Sequence, residues 1–288
     1  MKLYPIQCGK FKLDGGAMFG VVPKTLWQKT NPADENNLIE LGTRSLLVED
    51  GKKLILIDCG LGNKQDEKFF GHYSLWGDDT LDKSLKKYGF VRDDITDVFL
   101  THLHFDHCGG AIEWNDDRTG YRPAFKNANF WTNENHWKWA TEPNPREKAS
   151  FLKENILPMQ ESGQLNFLPT PTSGNYGFAP DLKMDVIFVD GHTEKQMLPV
   201  IQYQERTIVF AADLIATSGH IPQVYVMGYD TRPLLTMEEK GKFLKQCVDN
   251  DYLLFFEHDA HNELASLKMT EKGIRLDETF SMNEVFGY

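Results

Sequence analysis

The chain has 288 residues, 41% hydrophobic and 25% charged, which is material for one large domain with a substantial core. Its formal charge of -11 argues against a nucleic-acid partner, because that affinity rests on Lys and Arg displacing counterions from phosphates. The opening MKLYPIQCGKFKLDGG contains no apolar stretch of secretory length, and no later segment approaches the ~20 apolar residues of a membrane span. The expectation is an unprocessed cytoplasmic protein with no membrane partner.

An arm at about 14–40 comes first, and its segment MFGVVPKTLWQKT places Met18, Phe19, Val21, Val22, Leu26 and Trp27 among Gly and Pro. Core packing is the leading reading of these side chains, with a lid over the active site or a homodimer contact as the others. SLLVED and KLILIDCG are β-rich runs joined at Asp50-Gly51, a hairpin signal. TLDKSLKKYG spaces Leu81, Leu85 and Tyr88 for a helix behind a Thr80 cap, and the apolar run DVFLTH follows as a strand. NENHWKWA and REKASFLKENILPM read as helices separated by TEPNP, and LPTPTSGNYGFAP at 168–180 as a long surface loop. Trp131, Trp137 and Trp139 either shape an apolar groove or pack a helix. Three later runs, MDVIFVDGH, TIVFAADL and YLLFFEHDA, each end on ligand-type residues. The four cysteines form no CxxC pair, so reduced thiols are the default; Cys108 reads as a small buried hydrophobe.

The chemistry concentrates in FLTHLHFDHCGGA, residues 99–111. His102 and His104, two apart at a strand end, can face one pocket, and Asp106 and His107 lie on a turn closed by Gly109-Gly110, where the backbone can bend. Imidazoles and carboxylates together are what borderline divalent cations such as zinc take. Without a metal, so many polar groups sharing partly buried space would be costly. His192, Asp213 and His258 at the later strand ends complete a two-metal site.

THLHFDHCGG resembles the HxHxDH loop of the metallo-β-lactamase superfamily, and the spacing onward to His192, Asp213 and His258 is similar to that family's remaining ligands. The resemblance implies a single α/β domain over 1–288 with the four-layer αββα sandwich. It also implies one metal on His102, His104 and His192, a second on Asp106, His107 and His258, and Asp213 bridging. Asp58, in LIDCG, would orient a ligand histidine. DGGAMFGVVPKTLW and AADLIATSGHIPQVYVMGYD look like the branch containing bacterial quorum-quenching N-acyl homoserine lactonases. One departure is visible: family members often read His-Thr-Pro-Gly-His where this chain has His192-Thr193-Glu194-Lys195-Gln196.

The expected cofactor is two divalent ions, zinc first, and the expected partner a small-molecule substrate. Two such ions can acidify a shared water into a hydroxide nucleophile and polarise a carbonyl oxygen. Asp106 is the nearest carboxyl to protonate a leaving alkoxide, and Tyr225, Tyr229 and His220 are candidates to assist the substrate carbonyl. The leading activity is lactone hydrolysis. A phosphotriesterase or other ester hydrolase on the same site is the rival, and a diiron redox protein or a metal-binding module without turnover is the more distant one. His104 stands where diiron members carry a carboxylate, which favours zinc.

Overall fold

The computed structural model describes residues 1–287. The chain divides into two compact units, Met1–Gly9 with Thr43–Lys183, and Lys10–Gly42 with the residues from Met184 onward.

In the first unit the expected hairpin forms. Leu38–Asp50 pairs antiparallel with Lys53–Ile57, in register from Leu46 opposite Ile57 to Asp50 opposite Lys53, and the chain reverses through Gly51 at φ 64°. Lys53–Ile57, Asp97–Phe99, Asn129–Asn133 and Leu165–Leu168 then run parallel as neighbours in that order. Ile57 is level with Phe99, and Phe99 with Trp131. Lys53–Ile57 and Asp97–Phe99 therefore finish together, and that is where Asp58 and the loop from Leu100 begin.

Helix Leu81–Lys87 is capped by the Thr80 hydroxyl on the Lys83 amide and buries Leu81 and Leu85. Its apolar face joins a core of Leu47, Leu56, Val98, Leu103, Phe130 and Met159. Trp137 packs into this core, and the Trp131 indole donates to Asp97 at 2.8 Å, so packing accounts for both rings. Two sequence expectations change. Tyr176–Ala179, within the expected surface loop, is a short strand. The second helix of the 133–165 region starts at Lys153 rather than Arg146, because residues 144–150 make turns of their own, with the Ser150 amide bonded to the Glu147 carbonyl and the Phe105 amide to the Ser150 carbonyl.

In the second unit the strands run in the order Gly273–Phe280, Leu264–Thr270, Leu253–Phe255, Arg206–Phe210, Gln196–Tyr203 and Met184–Val189. Arg206–Phe210 and Leu253–Phe255 are parallel, with Phe210 level with Phe255. Asp213 and His258 each lie three residues beyond that level, and they meet there, with Asp213 Oδ1 3.1 Å from His258 Nε2. His192 sits in the connection between Val189 and Gln196, an antiparallel pair.

Helix Pro233–Asp249 buries Thr236, Glu239, Lys240, Phe243, Leu244 and Cys247. That is one helical stripe, and its two charged members hold loops, as described below. In the arm, Phe19 stacks on Trp27 with ring centroids 5.3 Å apart, and Met18, Phe19 and Trp27 are buried. Core packing is therefore right for these three, while Val21 remains 95% exposed and Leu26 46%.

Candidate metal centre

Each unit carries one half of the sequence-predicted set, and each half is built the same way: one ring nitrogen of every histidine is tied down, and the other is aimed at a neighbouring member of the set. In the first unit Asp58 is the hub. It is held at φ 55° and completely buried, and it accepts from the Thr101 amide at 2.8 Å, the Thr101 hydroxyl at 2.6 Å and His107 Nδ1 at 3.0 Å. With its proton given to Asp58, the Thr101 oxygen takes the Nδ1 proton of His102 at 3.1 Å. His102 Nε2 then lies 3.0 Å from His104 Nδ1. Asp106 Oδ1 stands 3.9 Å from His107 Nε2. All four sequence-predicted ligands of this half thus share one buried turn.

The Gly109-Gly110 pair has a reason other than the expected sharp bend. Gly109 has ordinary helical dihedrals, φ -58° and ψ -37°, but a side chain there would meet the Leu61 carbonyl oxygen at 2.0 Å, and one at Gly110 the Cys59 carbonyl oxygen at 2.1 Å. The backbone following Asp58 lies directly against the ligand turn, with the Cys59 amide on the His107 carbonyl and the Gly110 amide on the Gly60 carbonyl. Buried Lys64 donates from Nζ to the Gly109 carbonyl, and burial pulls its ammonium down to about 8. Cys108 is buried with its thiol on the Leu103 carbonyl, and burial pushes it up to about 12, which makes it the inert small hydrophobe expected.

In the second unit a single carboxylate serves two imidazoles. Asp213 Oδ2 lies 3.1 Å from His192 Nε2, and Oδ1 lies 3.1 Å from His258 Nε2. Opposite nitrogens are anchored: His192 Nδ1 to Asp230 Oδ1 at 2.9 Å, and His258 Nδ1 to the Gly42 carbonyl at 2.9 Å. Burial opposes charge on His192, but Asp213 and Asp230 outweigh it and hold the imidazolium up to about 10. A cation taking this nitrogen must displace that proton.

The turn that departs from His-Thr-Pro-Gly-His is rebuilt with other parts. Lys195, at the glycine position, adopts φ 52°, and its amide and ammonium both bind Asp190, at 2.9 and 2.7 Å. Glu239, reaching from the long helix, accepts from the Asp190 and Gly191 amides at 2.8 and 2.9 Å. The substituted turn thereby keeps His192 in place.

The other candidates separate. His220 is buried, with Nε2 2.9 Å from the Met18 carbonyl, Nδ1 2.8 Å from the Thr217 hydroxyl and its ring stacked on Phe19 at 4.1 Å. Nε2 joins the 217–230 loop to the arm, and Nδ1 is held within that loop. Tyr225 is half-buried and its carbonyl accepts from buried Lys240 at 2.7 Å; burial pulls that ammonium down to about 7. Tyr229 is exposed. His136, unremarkable in the sequence, is buried and accepts the Leu103 amide at Nε2, 2.9 Å, fixing the backbone between His102 and His104. Asp230, Glu239 and Glu147 were missed in the same way.

Imidazole nitrogens and carboxylate oxygens at this density suit a divalent cation of zinc type, and the anchoring of every histidine by a second partner is the outer arrangement that metal ligands require. Residues 38–258 match the profile of the metallo-beta-lactamase superfamily. The chain belongs to the metallo-β-lactamase superfamily. It is a metal-dependent hydrolase of that superfamily, with the α/β fold expected from its sequence, and the superfamily binds divalent metals. An N-acyl homoserine lactonase of Bacillus thuringiensis is 24% identical over 275 residues, covering 91% of this chain and 94% of that protein. Among solved structures, a probable metal-dependent hydrolase from Staphylococcus aureus superposes with TM-score 0.85 at 28% identity, covering 97% of this chain and 96% of that one. AidC, a dizinc quorum-quenching lactonase in complex with a product, superposes with TM-score 0.77 at 23% identity, covering 98% and 95%. Among the described residues of this metallo-β-lactamase superfamily member, no helix is long and apolar enough to cross a membrane.

Proposed function

We propose that this chain is a dinuclear N-acyl homoserine lactonase, with zinc as the metal and quorum quenching as its biological effect. In this reading residues 1–288 work as a single domain. His102, His104 and His192 would hold one ion, Asp106, His107 and His258 the other, and Asp213 would serve both. The observation that carries it is the Asp213 carboxylate, whose two oxygens lie 3.1 Å from the Nε2 atoms of two different histidines. One acid serving two imidazoles is the arrangement a shared ligand requires. The relatedness to lactonases over nine-tenths of both chains supports the substrate class.

When bound, a metal pair supplies an acidified water as nucleophile and a Lewis acid for the carbonyl oxygen. Asp106 lies on the ligand turn with its carboxyl partly accessible; as a carboxylate it would take the proton given up by the attacking water and pass it to the leaving ring oxygen as the ester C–O bond breaks. Tyr225 and Tyr229 remain as donors to the substrate carbonyl. His220, with both nitrogens used, anchors the arm instead. None of the four cysteines forms a disulfide, which fits the reducing cytoplasm. The outward Val21 and Leu26 make the arm's outer face the place for a homodimer contact.

Ring-opening yields a carboxylic acid that releases one proton at neutral pH, so activity is read without a chromogenic substrate. Zinc-loaded protein assayed against a series of N-acyl homoserine lactones and one aryl phosphotriester is expected to release protons fastest from a lactone. Faster turnover of the phosphotriester would move the assignment to the rival hydrolase class. No proton release from any lactone would defeat it.

A further inference from the structure

We infer that Glu147 is the positioning residue that fixes the tautomer of His104, so that this histidine offers a metal its Nδ1 while His102 and His107 offer Nε2. The inference rests on the metal-site reading above. Four of the five ligand histidines are anchored through Nδ1: His102 on the Thr101 hydroxyl, His107 on Asp58, His192 on Asp230 and His258 on the Gly42 carbonyl. His104 is reversed. Its Nδ1 is the atom 3.0 Å from His102 Nε2, and its Nε2 lies 3.4 Å from Glu147 Oε1.

A neutral imidazole has one N–H and one lone pair, and its partner decides which nitrogen carries which. A carboxylate can only accept, so Glu147 holds the proton on Nε2 and leaves the lone pair at Nδ1, beside the His102 nitrogen. Glu147 is 3% exposed, too deep for water to supply that acceptor. Its own orientation is set by Trp139 Nε1 and Asn144 Nδ2, which donate to Oε2 at 2.7 and 2.6 Å. The 144–150 turns, expected from sequence to be helix only from Arg146 on, carry this carboxylate to the ligand loop, and Ser150 ties the same segment to Phe105. Trp139, open in the sequence between groove and helix packing, acquires a defined task through its indole N–H.

The substitutions Glu147→Gln and Glu147→Asp separate tautomer control from mere support. In Glu147→Gln the amide oxygen must take the Oε2 place to keep Trp139 and Asn144, which turns the NH2 group toward His104 Nε2. That nitrogen must then accept, and the proton moves to Nδ1. Glu147→Asp is shorter but still only accepts, so the Nε2 proton stays. Nitrogen-15 histidine spectra of the metal-free protein, with His104 assigned by its loss in His104→Asn, read the tautomer directly. Competition with a chelating dye reads zinc affinity. Glu147→Gln is expected to place the His104 proton on Nδ1 and weaken zinc binding by roughly 10- to 100-fold, with Glu147→Asp retaining the wild-type tautomer and the smaller loss.

A supporting role alone predicts the opposite order, with the isosteric glutamine the gentler change. Wild-type tautomer and affinity in Glu147→Gln would overturn the inference. The spectra need neither metal nor turnover, so a chain that bound no zinc or opened no lactone would end the functional proposal while leaving this result to be judged separately.

Discussion

Replacing Asp213 by Asn is expected to abolish lactone turnover, by about a thousandfold or more, and to lower the zinc content of the purified protein from two ions per chain to one or fewer. Outer partners of metal ligands typically cost ~10- to 100-fold in affinity or activity, and Asp213 is assigned to both ions at once, so its loss should exceed that range. The physical reason is the number of usable oxygens. Asp213 directs Oδ2 at His192 and Oδ1 at His258, each at 3.1 Å, whereas asparagine keeps one oxygen and replaces the other with an NH2 that has no lone pair for a cation. Elemental analysis beside a proton-release assay checks both halves, and circular dichroism shows whether the variant is folded. Two retained zinc ions with wild-type turnover would remove Asp213 from the site. The metal-free form also changes. Without Asp213, His192 loses one of the two carboxylates that hold its proton up to about 10 against burial, so zinc uptake near pH 8 should release fewer protons than in the wild type.

The second large effect is acid instability centred on His220. Burial, reinforced by nearby Lys240, pulls this imidazole down to about 3 despite its contact with the Met18 carbonyl. Above pH ~6.5 the ring is neutral in both folded and unfolded chains, and its contribution to stability is complete. Below that, the unfolded chain takes up a proton that the folded chain refuses, and stability falls until the folded pKa near 3 is reached. Between pH 7 and 4.5 this amounts to a loss of roughly 2–3 kcal/mol from one residue. Urea unfolding at the two pH values, for wild type and His220→Gln, isolates it, because the other buried histidines are common to both. The variant is expected to be less stable at pH 7, having lost the stack on Phe19 at 4.1 Å, yet to lose about 2–3 kcal/mol less on acidification. Equal losses in the two proteins would show that His220 carries its proton in the fold.

The clustering of the candidate ligands was legible from sequence for a reason visible in the strand order. Each candidate ligand run follows an apolar strand closely, and Phe210 and Phe255, level on parallel strands, are followed at the same distance by Asp213 and His258, which meet at 3.1 Å. Crowding of imidazoles after Phe99 marked the other half, since such groups have no inexpensive way to share buried space without a cation. What supports the ligands left no such pattern. Glu147, His136, Asp230 and Glu239 are single polar residues in helices and loops, and each touches the ligand loops through a contact 33 to 49 positions away in the chain. The helical spacing of REKASFLKENILPM misled at its start, because Glu147 and Ser150 are committed to the loop after His102 and residues 144–150 turn instead. For His220 the sequence left substrate contact and loop anchoring both open, because it follows Asp213 closely among aromatic residues; its two filled nitrogens support the anchoring role.

Metal-free protein titrated with zinc, with bound ions counted per chain after gel filtration, tests the central claim most directly. The account predicts saturation at two ions per chain, with proton release on binding. Saturation at a single ion, or no retention of zinc at all, would contradict it.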